Sequence, residues 1–514
     1  MKRLRLLLRP LLVAILALAA LALGRSFWPV PAATRAAWVA DLDLLEAHTA
    51  AAYANLADRL RSRELAPREL DQEARTALAR ARTASEARAA LTAFVEAFDD
   101  HHFRAEAPYS APRRWLRRML GKDRAQESGA IPWTASGAEA CARFGARDRR
   151  EGRIDWGALP GYDALAADPV SHPFPAGILR RAGAAPLGIL RIGLFSQQGF
   201  PQLCAAEWER VKAARAGAVP PEVPPAEGAE VSAACDDTCQ EAFWAGLEER
   251  LLDRFAAELA ELAEGGATAL LVDLSDNGGG SGIVGRMVSM VTSRPLPERA
   301  GGFIRHPHSV ARFTAMAADY AAEVSRPELP ARQRELYARV QAQLEAAARE
   351  AAAPCDLAAM WQLASAAELP CANVGRVGPG LDPAEQAELA ELEALETGGS
   401  RRERPAAWTG ELFVVTNRRT ASASEDFVAS LQDAGAARIV GETTMGIGCG
   451  YTNGGVTLTL PATDLTVRAP DCIRYRRDGR NEAEGVLPDL PVEWNDDDSG
   501  QARAEKLVVA LRER

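Results

Sequence analysis

Four short stretches of this chain carry residue types suited to acyl chemistry. In "DLSDNGGG", Asp273 to Gly280, three consecutive glycines follow an apolar run. Such a turn lets backbone N–H groups crowd a ligand and stabilise an oxyanion. It lacks the Lys-Ser/Thr of a phosphate loop and does not fit G-x-G-x-x-G, which argues against nucleotides. In "TASASE", Thr420 to Glu425, Ser422 falls between an apolar strand and a helix, where the helix dipole and free N–H groups favour a nucleophile. The same place suits a serine that only caps the helix, its commonest use. In "FDDHHF", His101 and His102 adjoin two aspartates, as a helix-end cap or as a general base. In "NEAEGVLPD", Glu482 and Glu484 precede a Gly-Val turn, a place for solvated glutamates or for one that orients an imidazole.

Together these pieces resemble one family, the C-terminal processing and tricorn-type serine peptidases. The matching segments are Asp100-His101-His102, Asp273 to Gly280, Ser422-Ala423-Ser424-Glu425, Gly441 to Gly446 and Glu482 to Asp489. The resemblance covers about 186–295 and 405–514 plus the histidine motif. It implies an α/β fold, a crotonase-like spiral of ββα units, and hydrolysis of peptide bonds without a cofactor or metal. Ser275 departs from the family's usual arginine. No PDZ-like pattern separates His102 from the "PLGILRIG" strand.

A serine hydroxyl needs a base. In the processing branch of the family that base is a lysine 25 residues after the nucleophile, and here that position is Ile447. The only lysines are Lys2, Lys122, Lys212 and Lys506, so a Ser/Lys dyad is excluded. The tricorn-like branch uses the histidine of Asp-x-His, which implies His102 as base, with His101 as its rival. The resemblance also implies a supporting role for Glu482, acting through Ser424 or water. The oxyanion would be held by the N–H of Ala423 and that of Gly278 or Gly279. Apolar side chains near "RIGLF" and "YTNGGV" are expected to line the substrate cleft. A non-catalytic peptide- or ligand-binding relative and an esterase are the competing readings. The first would have no need to keep Ser422, His102 and Glu482 together.

The elements that must position these residues are visible in outline. Residues 1–24, with a basic start and the apolar run Leu11–Leu23, read as a secretory signal or a membrane anchor. That run is short for a span of about 20 residues. A periplasmic or extracellular protein follows, touching the membrane only through this segment. Residues 37–103 repeat apolar positions at helical spacing, an N-terminal helical region that ends in the histidine motif. Residues 104–185 form a connecting region without clear periodicity. Residues 186–514 read as the catalytic domain, interrupted by a helical insertion at about 309–396. The tail "GGVTLTLPATDLTVRAP" alternates as a hairpin does.

Net charge is −10 without a basic block, which excludes a nucleic-acid footprint. Eight cysteines fit export, and they allow 105 pairings. Local pairing favours Cys235–Cys239, Cys355–Cys371 and Cys449–Cys472, leaving Cys141–Cys204. The last but one would clamp the loop that lost the lysine. The stretch 213–234 is expected to hold the 235–239 cysteines off the body.

Overall fold

The computed structural model describes residues 29–512 apart from 108–129, 167, 217–233, 281, 297, 354 and 397–405. The N-terminal signal or anchor lies outside the described residues. Among those described, no helix is long and apolar enough to cross a membrane.

The core is a seven-stranded sheet: β1 Tyr162–Ala164, β2 Ala176–Leu179, β3 Leu187–Arg191, β4 Ala269–Asp273, β5 Glu411–Thr416, β6 Arg438–Gly441 and β7 Leu490–Pro491. Neighbours in space are neighbours in sequence. β1, β2 and β3 pair antiparallel, and β3 to β7 run parallel. Antiparallel entry followed by helical crossovers is the ββα winding that the motifs implied, a mixed α/β fold. β1 and β2 come from the region that composition leaves blank. "AGIL" is too short and too uniformly apolar to show a period.

β4, "ALLVD", reads as an unbroken apolar run because both its faces are covered, as central parallel strands require. Leu270 and Val272 join the core made with Phe427 and the helix Asp237–Glu264. Leu271 between them packs with Ile189, Phe413 and Val440 on the opposite face. This alternation aligns the C-terminal ends of β3, β4 and β5, where Arg191 and Val415 both sit opposite Asp273. The Gly-rich turn leaves β4 at that edge and the Ser422 turn follows β5 at the same edge, where open α/β sheets place their ligand sites.

Two small sheets bring in the distant parts. The strand Arg104–Glu106, directly after the histidines, pairs with Thr466–Ala469 of the tail hairpin. N-terminal helices between Ala32 and Glu96 share one core with that hairpin through Leu460, Leu465 and Val467. The strand Cys472–Arg474 pairs with Gly301–Ile304, which pairs in turn with Val374–Val377. The insertion therefore contains a strand as well as the helices Pro307–Val324, Ala331–Ala351 and Pro383–Glu396.

All four preferred disulfides are present. One expectation fails. Cys235 is fully buried and pairs through its strand with Ile131, so the 235–239 bridge belongs to the core. A cystine packs as an apolar group, and the wall of the helix Asp237–Glu264 gives it a place to do so.

Candidate active site

Ser422 stands at φ +56° and ψ −116°, directly before the helix Ala423–Asp433. An N-cap serine takes extended backbone angles, so a capping role alone does not account for this geometry. A positive φ in a residue with a Cβ is uncommon and persists only where surroundings enforce it. Here the turn is held from every side. The Ser422 N–H donates to Glu425 Oε2 at 2.9 Å. Arg474 Nη2 donates to the Ser422 carbonyl at 2.8 Å. The Ala421 N–H donates to the Asn277 carbonyl at 3.0 Å, stitching the serine turn to the glycine turn.

Gly279 shows how close those turns lie. A Cβ there would stand 2.8 Å from Ser422 Cβ and 2.9 Å from the Ala423 nitrogen, and its φ of +102° also favours glycine. The two oxyanion candidates on this turn are not equivalent. The Gly279 N–H is taken by Asn277 Oδ1 at 2.9 Å. Gly278 has open space where a side chain would stand, and Ala423, first in its helix, has an N–H without an intrahelical partner. Arg191 Nη1 reaches the Ser275 carbonyl at 3.0 Å and Asp273 Oδ2 at 3.4 Å. The "RIGLF" side chains Ile192 and Phe195 do not line a cleft. Both are fully buried, and Phe195 packs on Phe427 of the nucleophile helix.

Of the two histidines, His101 is exposed and His102 turns inward. The His102 N–H donates to Asp100 Oδ1 at 2.9 Å, and Asp100 Oδ2 accepts from Tyr53 and Asn55 at 2.9 and 3.2 Å. The His102 ring lies against Gly450, whose added Cβ would meet it at 3.1 Å, and Tyr451 donates its hydroxyl to the His102 carbonyl. Burial lowers the His102 pKa below its ordinary 6.5, against the pull of Asp100 and a backbone hydrogen bond with Ile447. The imidazole is thus favoured in its neutral, proton-accepting form. Its Nδ1 is buried without a hydrogen-bond partner, as is Ser424 Oγ.

Glu482, fully buried, keeps different company from that expected. Its Oε2 accepts from Arg299 at 2.7 Å and its Oε1 from Arg474 Nε at 2.8 Å. Among the described residues it makes no hydrogen bond or ion pair with His102. Its connection to Ser422 runs through Arg474, which burial disfavours but which Glu482 and Asp426 hold charged.

The largest surprise is Glu425. Its buried carboxylate accepts from the N–H groups of Ser422, Gly446, Ile447 and Gly448 and from the Thr444 hydroxyl, at 2.6–3.2 Å. The loop that would carry the lysine has become a nest of N–H groups around an acid from the nucleophile helix. Burial and the neighbouring Glu482 raise the Glu425 pKa, while these donors oppose the shift. The Ser-x-x-Glu spacing of a capping box was a signal for it. Arg474 had no comparable signal. Arg59 completes the frame, donating to the Gly446 carbonyl beside Asp100.

Cys449–Cys472 closes this loop onto the strand Cys472–Arg474 that pairs with Gly301–Ile304. Replacing both cysteines by alanine is expected to cost about 3 kcal/mol, from the entropy regained by a loop of this length. Urea unfolding measures it, and an unchanged midpoint would refute a structural role for the bridge.

A serine on a positive-φ strand-to-helix turn beside a glycine turn, with the His102 ring against the Gly450 loop, is an arrangement suited to acyl chemistry. Residues 334–492 match peptidase family S41, a segment that includes Ser422 and Glu482 and leaves out His102 and the glycine turn. No curated protein matches the chain. Among solved structures it is similar to mature CPAF, at 16% identity and a TM-score of 0.50, over 93% of this chain and 97% of that one. Mature CPAF complexed with lactacystin gives 15% and 0.50, over 94% and 98%. The photosystem II D1 C-terminal processing protease, at 13% and 0.34 over 90% and 94%, is too loosely superposed to carry an argument. At such identities the likeness concerns the fold. The matched segment bears out the resemblance to peptidase family S41 read from the motifs, and the solved structures bear out its fold.

Proposed function

We propose that this chain is an exported serine peptidase in which Ser422 attacks the peptide carbonyl and His102 is the base. The observation that carries it is the enforced positive φ of Ser422 against the Gly279 backbone. His102 would take the Ser422 proton and return it to the leaving amine. The N–H groups of Ala423 and Gly278 would hold the tetrahedral oxyanion, worth about 3 kcal/mol per donor. Glu482 supports the site through Arg474, which fixes the nucleophile's carbonyl. No hydrogen bond joins Ser422 to His102 among the described residues, and the reading needs that contact to tighten as substrate arrives, a common feature of empty sites. Export rests on the signal-like residues 1–24.

The test is fluorophosphonate labelling of the purified protein. Wild type is expected to label, His102→Ala to lose it and His101→Ala to keep it. Labelling lost only in His101→Ala would move the base by one residue. A folded wild type that never labels would support the unpartnered Nδ1 as the mark of a binding protein instead. N-terminal sequencing of the mature protein from outside the cytoplasm tests export, and an intact Met1 on an intracellular product would refute it.

The lowered His102 pKa also sets a pH profile. A base must be neutral to work, so kcat/KM is expected to fall as pH drops through the folded His102 pKa. The acid limb should therefore have its midpoint below 6.5. A midpoint above that value would remove His102 as base.

A further inference from the structure

We propose that the cavity between the insertion and the catalytic loop is a substrate pocket, and that Arg312 makes it select a carboxylate. This rests on the peptidase reading and names the substrate feature that reading leaves open.

The cavity measures about 480 Å³, within the range of small-ligand pockets. One side is the insertion, with Phe313, Met316, Tyr320 and Leu344 giving an apolar floor. The other side is Cys449, Cys472 and Arg474 of the catalytic frame. Arg474 bonds the Ser422 carbonyl at 2.8 Å, so this wall stands one side chain away from the nucleophile.

Three arginines line the space, and two are already matched. Arg299 pairs with Asp426 and Glu482, and Arg474 with Glu482. Arg312 has no hydrogen bond or ion pair among the described residues. Its guanidinium leans on the ring of its neighbour Phe313, 5.2 Å from the centroid.

The nearby carboxylates are engaged elsewhere. Asp471 accepts from Thr452 N–H and Oγ at 2.8 and 3.1 Å and faces His308 at 3.0 Å. Glu298 accepts from Gln386 Nε2 at 3.3 Å. Burial lowers the Arg312 pKa, with Asp471 pulling against it. A guanidinium in that state gains most from a carboxylate, which its planar fork binds through two parallel hydrogen bonds. An apolar floor beneath it suits the stem of the group that carries the acid. The carboxylate would come from an acidic side chain of the substrate or from its C-terminus.

The experiment uses fluorescein-labelled octapeptides of alanine and leucine. Each carries one Glu or its Gln counterpart at every position in turn, made as free acid and as amide. Anisotropy with the full-length Ser422→Ala protein reads binding without turnover, and the wild type reads cleavage. The carboxylate peptide is expected to bind at least about tenfold tighter than its neutral twin. That ratio should fall to about one in Ser422→Ala/Arg312→Gln and survive in part in Ser422→Ala/Arg312→Lys. Because the ratio is read within each protein, a general loss of affinity does not move it.

A Glu-over-Gln preference assigns a side-chain carboxylate, and an acid-over-amide preference assigns the C-terminus. A ratio near one in Ser422→Ala, a ratio indifferent to Arg312→Gln, or no binding of any peptide overturns the proposal. Cleavage by wild type without carboxylate preference sinks the pocket and leaves the peptidase reading. Selective binding without cleavage does the reverse.

Discussion

Peptide turnover is expected to fall roughly 10⁵-fold or more in Ser422→Ala, about as far in His102→Ala, and hardly further in the double variant. The reason is that a nucleophile and its base act as one unit: without the base the hydroxyl stays protonated, and without the hydroxyl the base has nothing to activate. Residual turnover above the uncatalysed rate would come from the Ala423 and Gly278 donors and from binding, which neither substitution touches. The geometry makes the comparison informative. Ser422 is held by Arg474 and Glu425, and His102 by Asp100 and Tyr451, so each variant leaves the other partner's frame intact. Single-turnover rates on one quenched peptide decide it. Losses that simply multiply in the double variant would mean that the two residues work independently, and His102 would then not be the base.

Glu425→Ala is expected to destabilise the protein by at least about 3 kcal/mol and to abolish labelling of Ser422. Five donors converge on that carboxylate, four of them backbone N–H groups. Buried donors left without an acceptor carry their full desolvation cost, about 1–3 kcal/mol each. Relaxation of the loop would recover part of that cost, at the expense of the site. The loop bearing Gly446 and Ile447 would separate from the nucleophile helix, and the Ser422 N–H would lose the bond that helps enforce its φ. Glu425→Gln is the sharper variant. It keeps the volume and one acceptor oxygen but turns an NH₂ toward N–H groups, so stability should fall less than in Glu425→Ala while labelling still drops steeply. Urea unfolding and labelling rates on the same preparations measure both. Wild-type labelling by Glu425→Gln would show that the nest is scaffolding only.

These two expectations differ in how visible their basis was. Ser422, the glycine turn and the missing lysine could be read directly, because each depends on a few adjacent residues and on the local change from strand to helix. The local cysteine pairs were legible for the same reason: a short intervening loop keeps two thiols near one another in any compact chain. Glu425 lies in the same motif, but nothing local shows where a side chain's acceptors are spent. Glu482 was seen as a member of the site, yet its expected partner was an imidazole and its actual partners are Arg299 and Arg474. Ile192 and Phe195 were expected in a cleft and are buried, because an apolar residue after a strand reads the same whether its neighbour is a ligand or another helix.

By itself the sequence determined the α/β class, the hairpin, the serine turn and the absence of a lysine at position 447. Periodicity and turn chemistry report each residue's burial and backbone angles, and those are short-range properties. Only the tertiary structure decided which of two adjacent histidines faces inward. It did so by pairing Arg104–Glu106 with Thr466–Ala469 and setting His102, 320 residues ahead of Ser422 in sequence, over Gly450. It also decided that Glu425 gathers the N–H groups of the loop, that Glu482 pairs with Arg299 and Arg474, and that Arg312 lines a cavity. Each of these is a meeting of side chains from distant segments, fixed by strand registers and shared cores that no local pattern encodes.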